Sequence, residues 1–380
     1  MMSEIKPCPI EIPQSQLDDL RTRLENTRWI ERETPDDWSQ GIPLDYMREI
    51  HASWLNDYDW RVCEARLNGF GSFITEIDGL DIHFLHIRSP YENARPLVLT
   101  HGWPGSVVEF FDLIPMLTDP TSHGGTAEQA FHLVVPSLPG YGFSGKPTAP
   151  GWDINRIGRA WGTLMARLGY TGYVAQGGDW GSIVSMAVAR ENPDHCKAVH
   201  VNMLVAPPDP DTMDNLTEAE QQSLADFQIF NENETGYSSQ QKTRPQTLGY
   251  GLVDSPIGQA AWVLEKFHAW TDCSGHPENV ISRTALLVNV MMYWLTASAG
   301  SSARLYWESY GDFAPAQVHQ PVGCSVFPKE IIRPSRRWAE KTYTNIVFWN
   351  VHAKGGHFAA LERPAALAED IRACFDDIEI

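Results

Sequence analysis

The stretch G-G-D-W-G at residues 177–181 lies between a short apolar segment at 173–175 and a helical pattern over 182–192. Glycines placed two residues before and two residues after a central side chain are typical of a strained turn from a strand into a helix. Such a turn holds the central side chain above the sheet, and the start of the helix stabilises negative charge beside it. The sequence therefore predicts that Asp179, the central residue, occupies the position of a nucleophile.

A carboxylate in that position favours chemistry at saturated carbon. Attack on an ester or amide carbonyl would give an anhydride, which reverses easily because a carboxylate is a far weaker base than the group it must expel. Attack on a carbon that carries a halide or an epoxide oxygen gives an alkyl ester, which an activated water can then open. The alternative is structural, because aspartate commonly caps a helix and Asp179 could do so here.

Two further residues lie where the partners of such a nucleophile belong. His357, in G-G-H-F at 355–358, follows the last predicted strand, and Glu330, in F-P-K-E at 327–330, follows the strand before it. The order nucleophile, acid, histidine is the one expected of this kind of sheet. We therefore expect His357 to activate water as a general base and Glu330 to orient its imidazole. His352, close to His357 in sequence, is expected to have a structural role.

The loop H-G-W-P-G-S at 101–106 follows another predicted strand. In loops of the H-G-x-P type the backbone N–H of x can face the nucleophile. We therefore expect Trp103 and Trp180 to donate backbone hydrogen bonds to an oxyanion. The G-x-S-x-G pattern of a serine esterase is absent at Ser106, Ser144 and Ser182.

Two kinds of strand pattern predict the fold. Segments 73–77 and 80–87 alternate apolar and polar residues around Asp78-Gly79, which predicts a β-hairpin. The later strand-like segments are apolar on both faces and alternate with helical patterns, at 96–100, 132–136, 172–176, 197–202, 323–327 and 345–349. This alternation predicts an α/β fold whose mostly parallel sheet is covered by helices.

The order of these patterns also predicts how the chain is divided. Residues between 202 and 323 show helical stretches without a clear strand, which predicts a helical cap inserted after a core strand. The first sixty residues predict a helical arm, with Ser15 as the expected N-cap of its first helix. The resulting ranges are a helical arm at 1–70, a first core segment at 71–206, a cap at 207–320 and a second core segment at 321–380.

With these motifs in place, the chain resembles epoxide hydrolases of the α/β-hydrolase fold, and among them the microsomal-type group that has an N-terminal arm. The likeness covers nearly the whole chain. It is carried by the motifs above and by the stretches at 12–24, 58–61, 136–144, 255–262 and 355–364. The resemblance implies Asp179 as nucleophile, His357 as base, Glu330 as its acid partner, and a vicinal diol as product.

The resemblance also implies two cap tyrosines whose hydroxyls protonate the epoxide oxygen. An acid is needed because an alkoxide is a poor leaving group, and a phenol can supply the proton without being charged. Among the tyrosines of the cap, Tyr237 and Tyr306 look like the two positions of the family. The alternative for either residue is an aromatic side chain packed in the interior of the cap.

Composition restricts the partners. The chain carries 29 Lys and Arg against 48 Asp and Glu, a formal charge of −19, which disfavours nucleic acid and anionic membranes. The six cysteines lack metal-binding spacing, and no apolar run suggests a membrane anchor or an export signal. We expect a cytoplasmic protein that acts on a small-molecule epoxide and water, without metal or organic cofactor. A homodimer is the expected assembly.

Two other functions fit part of the sequence. A haloalkane or haloacid dehalogenase would use the same Asp179, His357 and water, and the indole N–H groups of Trp103 and Trp180 could bind the leaving halide. The cap tyrosines are the feature that separates the two enzymes. A non-catalytic ligand-binding protein of the same fold would lack at least one catalytic group, whereas here all of them occur in order.

Overall fold

A computed structural model of the protein describes residues 4–312 and 317–380. Within these residues nine strands form one sheet, in the order β1-β2-β3-β5-β4-β6-β7-β8-β9. The strands are β1 Lys6–Pro7, β2 Ser72–Ile77, β3 Leu80–Ile87, β4 Arg95–Thr100, β5 Phe131–Pro136, β6 Tyr173–Gly177, β7 Cys196–Val201, β8 Val322–Val326 and β9 Ile346–Val351.

The sheet changes from antiparallel to parallel along its width. Strands β1, β2, β3 and β5 pair antiparallel, and from β5 through β4, β6, β7 and β8 to β9 every pair is parallel. The central strands are buried on both faces, as their continuous apolar runs predict. The predicted α/β fold with a mostly parallel sheet is confirmed.

Helices cover the sheet and join its strands. In the described part of the chain they are α1 Gln14–Glu25, α2 Leu44–Asn56, α3 Trp60–Gly69, α4 Leu113–Thr118, α5 Ile154–Arg167, α6 Trp180–Glu191, α7 Glu218–Asn233, α8 Gly236–Thr243, α9 Pro245–Asp254, α10 Pro256–Trp270, α11 Arg283–Leu295, α12 Ala299–Ser309, α13 Arg336–Thr342, α14 Ala359–Glu362 and α15 Pro364–Phe375. Their buried apolar side chains and those of the sheet form one continuous core. None of these helices is long and apolar enough to cross a bilayer.

Two local predictions have different outcomes. The hairpin between β2 and β3 is confirmed, and Asp78 and Gly79 at its turn have φ angles of 53° and 77°, as a tight two-residue turn requires. The N-cap prediction for Ser15 is wrong, because α1 begins at Gln14 and its N-cap is Pro13. Proline at that position has its φ fixed near the value needed and has no N–H to satisfy, so the helix starts without a side-chain cap.

Helices α7 to α12 lie between β7 and β8, which confirms the predicted helical insertion after a core strand. This cap is joined to the loop after β4, since the Tyr293 hydroxyl donates to the Gly105 carbonyl at 2.7 Å. The N-terminal arm packs on the cap, because the Trp38 ring stacks on His268 with 3.7 Å between centroids. The boundaries 1–70, 71–206, 207–320 and 321–380 stay predictions, and residues 313–316 of the cap range lie outside the described part.

Candidate active site

Asp179 lies at the turn between β6 and α6, with φ 52° and ψ −130°. The flanking glycines are required by close backbone approach: a Cβ at Gly181 would lie 1.9 Å from the Thr100 carbonyl oxygen, and a Cβ at Gly177 would lie 2.2 Å from Gly181. The Asp179 side chain makes no cap hydrogen bond to α6. The helix-capping alternative for Asp179 is therefore wrong.

The structure brings together the three residues expected to form a catalytic triad. Asp179 Oδ2 lies 3.3 Å from His357 Nε2, and His357 Nδ1 lies 2.6 Å from Glu330 Oε1. The side chains of His357 and Glu330 are buried, and Asp179 is slightly more accessible. Glu330 follows β8 and His357 follows β9, and these parallel strands are neighbours, so their carboxyl ends meet beside the turn at Asp179.

The two carboxylates determine the charge of the imidazole. Burial by itself would lower the pKa of His357, but Glu330 and Asp179 outweigh it and raise that pKa well above its ordinary value. The protonated form of the imidazole is therefore favoured. A reaction that removes the negative charge of Asp179 removes one of the two charges that raise the pKa of His357. That pKa then falls, and the imidazole can act as a base.

The loop after β4 supplies a hydrogen bond to the carboxylate of Asp179. The backbone N–H of Trp103 donates to Asp179 Oδ1 at 2.8 Å. A Cβ at Gly102 would lie 2.2 Å from the same oxygen, so glycine is needed for this close approach. Trp180 begins α6 directly after Asp179, which places its backbone at the same turn. The two residues expected to form an oxyanion hole thus lie on either side of the carboxylate.

Tyr237 of α8 and Tyr306 of α12 meet over this site, with 5.8 Å between ring centroids. The Trp103 ring stacks on Tyr237 at 5.0 Å, and the Trp180 ring meets Tyr306 edge-on at 4.9 Å. Burial first, and then the charge of Asp179 or of the neighbouring tyrosine, raise the pKa of both phenols well above the ordinary value. Both hydroxyls therefore stay protonated and can act as acids.

The other cap tyrosines are placed differently. Tyr250 is exposed, and the hydroxyl of Tyr293 is committed to the Gly105 carbonyl. The Tyr310 ring lies beside Tyr306 at 6.2 Å, and its hydroxyl is 3.4 Å from Ser238 Oγ. Tyr237 and Tyr306 are thus the pair that the fold assembles against the triad.

Comparison with known proteins identifies the family of this chain. Residues 5–110 match the family model described as "Epoxide hydrolase N terminus", and residues 95–246 match the model "alpha/beta hydrolase fold". Epoxide hydrolase 1 of Sus scrofa is 36% identical over 398 residues, which cover 97% of this chain and 88% of that protein. The chain belongs to the epoxide hydrolase family. A relative from Stigmatella aurantiaca (strain DW4/3-1) is 54% identical over 372 residues, 98% of this chain and 84% of the relative.

A solved structure places this family member in the same fold. The epoxide hydrolase of Aspergillus niger superposes with a TM-score of 0.89 at 38% sequence identity, covering 99% of this chain and 97% of that one. The predicted α/β-hydrolase fold, with its N-terminal arm and helical cap, is confirmed.

The sequence reasoning missed Glu109, which lies in the short helical turn after the H-G-W-P-G-S motif. Together with Asp179 and His357 it lines a cavity of about 20 Å³, which is room for about one water. Burial and the nearby Asp179 charge raise the pKa of Glu109 well above its ordinary value, so its carboxyl is protonated. A lone acid within the apolar run V-V-E-F-F at 107–111 is the signal that could have indicated it.

The attachment of the His357 loop to the cap was also missed. The His357 backbone N–H donates to the Trp270 carbonyl at 2.9 Å, and the Gly355 N–H donates to Asp272 Oδ2 at 2.9 Å. Glu362 accepts from the backbone N–H groups of Asp272 and Phe358, at 2.8 and 3.2 Å. The end of α10 and the loop of the general base are therefore held together by one backbone bond and by backbone-to-carboxylate bonds that join residues 83 and 90 positions apart in sequence.

The half-buried Glu362 should make the stability of this family member depend on pH. Burial raises its pKa from 4.5 to about 7, so over this range the folded state holds a proton that the unfolded state has lost. Stability should therefore fall as pH rises from 4.5 to 7, and Glu362→Gln should remove about 2 kcal/mol of that decline. Urea unfolding at about pH 5 and about pH 8 measures the effect.

Glu369→Gln is the matched control for this prediction, since Glu369 is exposed on α15. That variant should retain the full pH dependence of the unmodified protein. An equal decline in the Glu362→Gln and Glu369→Gln proteins would contradict the assignment to Glu362.

His352 has the structural surroundings that the sequence suggested. Its Nε2 lies 2.5 Å from Asp370 Oδ2, and its ring stacks on Phe327 with 4.4 Å between centroids. The Ser325 hydroxyl donates to the same carboxylate oxygen at 2.5 Å. These contacts join the ends of β8 and β9, from which Glu330 and His357 follow.

Proposed function

We propose that this protein converts an epoxide into a vicinal diol through an ester on Asp179. The observation that carries the proposal is geometric: the buried hydroxyl-bearing rings of Tyr237 and Tyr306 meet beside Trp103, and the Asp179 carboxylate lies 3.3 Å from His357 Nε2. Such a site offers an acid for the epoxide oxygen and a nucleophile for its carbon at the same time. The products are the diol and the regenerated enzyme, and the steps need no metal or organic cofactor.

In the first step an oxygen of Asp179 forms a bond to the less hindered epoxide carbon. The carbon–oxygen bond of the ring breaks, and its electron pair goes to the ring oxygen. That oxygen takes a proton from Tyr237 or Tyr306, which leaves a phenolate in the cap. The negative charge has then moved from the carboxylate to the tyrosine pair, and a hydroxyalkyl ester joins substrate to enzyme.

The second step is hydrolysis of the ester. Because the ester carries no charge at Asp179, the pKa of His357 falls and the imidazolium gives its proton to the cap phenolate. The neutral imidazole then takes a proton from water while the water oxygen bonds to the ester carbonyl carbon. The acyl carbon–oxygen bond breaks, and the diol oxygen takes the proton of the new carboxyl group, which leaves Asp179 as a carboxylate. The small cavity beside Glu109 would hold the water against the ester carbonyl, and Glu330 would stabilise the imidazolium that forms again. Backbone N–H groups of Trp103 and Trp180 would bind the tetrahedral oxyanion until the diol leaves.

One contact bears on the dehalogenase alternative. That function would use the indole N–H groups of Trp103 and Trp180 to bind a halide, but the Trp180 indole is already hydrogen-bonded to Tyr306. A halide would have to displace this bond, and the dehalogenase reaction would make no use of the two tyrosine hydroxyls as acids. The non-catalytic alternative fits poorly as well, because the triad and both acids are assembled.

A side-by-side assay tests the proposed function. Purified protein is given an aryl epoxide and, separately, a series of chloroalkanes, while diol formation and halide release are recorded. We expect diol from the epoxide and no halide from the chloroalkanes. Halide release without diol would instead assign the protein to the dehalogenases.

Cytoplasmic location and assembly as a homodimer also remain proposals. All six cysteines are free thiols, as is usual in a reducing compartment. Exposed apolar side chains on the arm and the cap, Ile30, Val62 and Tyr250, offer surface for contact between two copies. Light scattering of the purified protein would contradict the dimer if it gave the mass of one chain.

A further inference from the structure

Lys266 is a buried cation that the proposed mechanism does not use. It lies on α10, its side chain is 4% exposed, and its Nζ lies over the Tyr237 ring, 4.9 Å from the centroid. The same Nζ lies 5.7 Å from the centre of the Trp270 ring. A lysine is rarely buried to this degree unless its charge has a partner or a task.

Two carboxylates lie close to this ammonium group. Glu265 Oε1 is 2.9 Å from Nζ and Glu234 Oε2 is 3.3 Å from it. Their side chains are 28% and 32% exposed, so water screens both acids more than it screens the lysine. The charge of Glu234 also acts on Tyr237 and contributes to raising the pKa of its phenol. Lys266 Nζ lies directly over the Tyr237 ring, so its positive charge opposes this effect.

Ring opening sends negative charge towards this cation. Before the reaction the charge lies on Asp179; after the ester has formed and the ring oxygen has taken the phenol proton, it lies on the tyrosine pair. We propose that Lys266 is a positioning residue that stabilises the negative charge Tyr237 acquires when it protonates the epoxide oxygen. The inference rests on the proposed function and adds to it a cation that acts through the tyrosine without contact to substrate.

Electrostatic stabilisation of this kind should speed ester formation without speeding ester hydrolysis. Ester formation creates the charge on Tyr237, so its rate depends on Lys266. Before hydrolysis the phenolate takes back a proton from the His357 imidazolium, and loss of Lys266 would make the phenolate a stronger base, so this loss should not slow hydrolysis. A role limited to packing would change both rates together or change only the stability of the fold.

The test compares Lys266→Met, which keeps the length of the side chain without its charge, with Lys266→Arg. Lys242→Met is the matched control, because Lys242 lies 4.2 Å over the ring of Tyr310, a cap tyrosine outside the proposed acid pair. Rapid-quench mass spectrometry with an aryl epoxide gives the rate of ester formation, and decay of the ester gives the rate of hydrolysis. Each variant is measured both with His357 intact and combined with His357→Gln, where the ester forms but is not hydrolysed.

We expect Lys266→Met to slow ester formation roughly 10- to 100-fold without slowing ester hydrolysis. Lys266→Arg should recover most of the rate, and Lys242→Met should behave like the unmodified protein. The loss should shrink for an epoxide with an electron-withdrawing substituent, because its alkoxide is less basic and needs less help from the acid. Equal rates of ester formation with and without Lys266, or a parallel fall of both steps, would overturn the inference.

Two further outcomes keep the test decisive. If Lys266→Met does not fold, Glu234→Gln provides a second test, because it removes a partly exposed carboxylate that pairs with the lysine. Ester formation in this variant should be unchanged or faster. A slower rate of ester formation in a folded Glu234→Gln protein would overturn the inference. Absence of ester in the His357→Gln protein with Lys266 intact would overturn the proposed function, and this inference with it. Ester formation there at a rate independent of Lys266 would overturn the inference alone.

Discussion

Replacement of Asp179 by alanine should abolish epoxide hydrolysis, with a loss on the order of 10⁴-fold or more. The residue is the only carboxylate in contact with His357 Nε2 among the described residues, and no covalent ester can form without it. The measurement is steady-state diol formation by the purified variant. Its thermal unfolding is recorded alongside, because alanine must adopt the positive φ of this turn.

Asp78→Ala is the matched control for backbone strain. Asp78 has a φ of 53°, almost the same as the 52° of Asp179, but it lies in the hairpin turn between β2 and β3. The Asp78→Ala protein should be less stable than the unmodified protein but should keep its activity. An Asp179→Ala protein that still forms diol at a substantial rate would contradict the nucleophile assignment. So would solvent ¹⁸O found in the diol after a first turnover, since the ester route places that label in Asp179 first.

Replacement of His357 by glutamine should separate the two steps. Glutamine cannot act as a base, so Asp179 should still be alkylated while water is no longer activated to open the ester. We expect the intact protein to gain the mass of one substrate molecule and turnover to fall on the order of 10³-fold or more. Intact-protein mass spectrometry after mixing with an aryl epoxide measures the trapped ester.

His352→Gln serves as the control, because His352 is a nearby imidazole paired with a carboxylate but without contact to Asp179 in the described structure. This variant should turn over substrate and accumulate no ester. Accumulation of ester in the His352 variant, or its absence in the His357 variant, would show that the base had been assigned to the wrong histidine.

Much of this site could be predicted because its parts follow directly from strands. A nucleophile turn, an acid and a histidine that each come after a predicted parallel strand must meet at one edge of the sheet, since neighbouring parallel strands end on the same side. The sequence alone therefore predicts Asp179, Glu330 and His357. The glycine spacing around Asp179 carried similar information, because the backbone at Gly177 and Gly181 leaves no space for a Cβ.

Sequence patterns predict less where several local structures or roles fit the same residues. Ser15 looked like an N-cap, but Pro13 begins the helix equally well without a side-chain bond. Only the family resemblance distinguishes Tyr237 and Tyr306 from the other cap tyrosines, since nothing in the sequence of their helices separates an acid from a packed ring. Their closeness to each other and to Trp103 depends on how α8 and α12 cross, which no local pattern specifies.

The sequence by itself determined the chemistry of the nucleophile, the order of the triad and the α/β fold, because these depend on residue type and on short-range backbone geometry. Only the tertiary structure decided which distant groups share the site: Glu109 in the cavity beside Asp179, Asp272 and Glu362 around the His357 loop, and Lys266 over Tyr237. The physical reason is that burial and charge act through space. The ionisation of a carboxyl or the acidity of a phenol depends on neighbours that lie tens to hundreds of residues away along the chain.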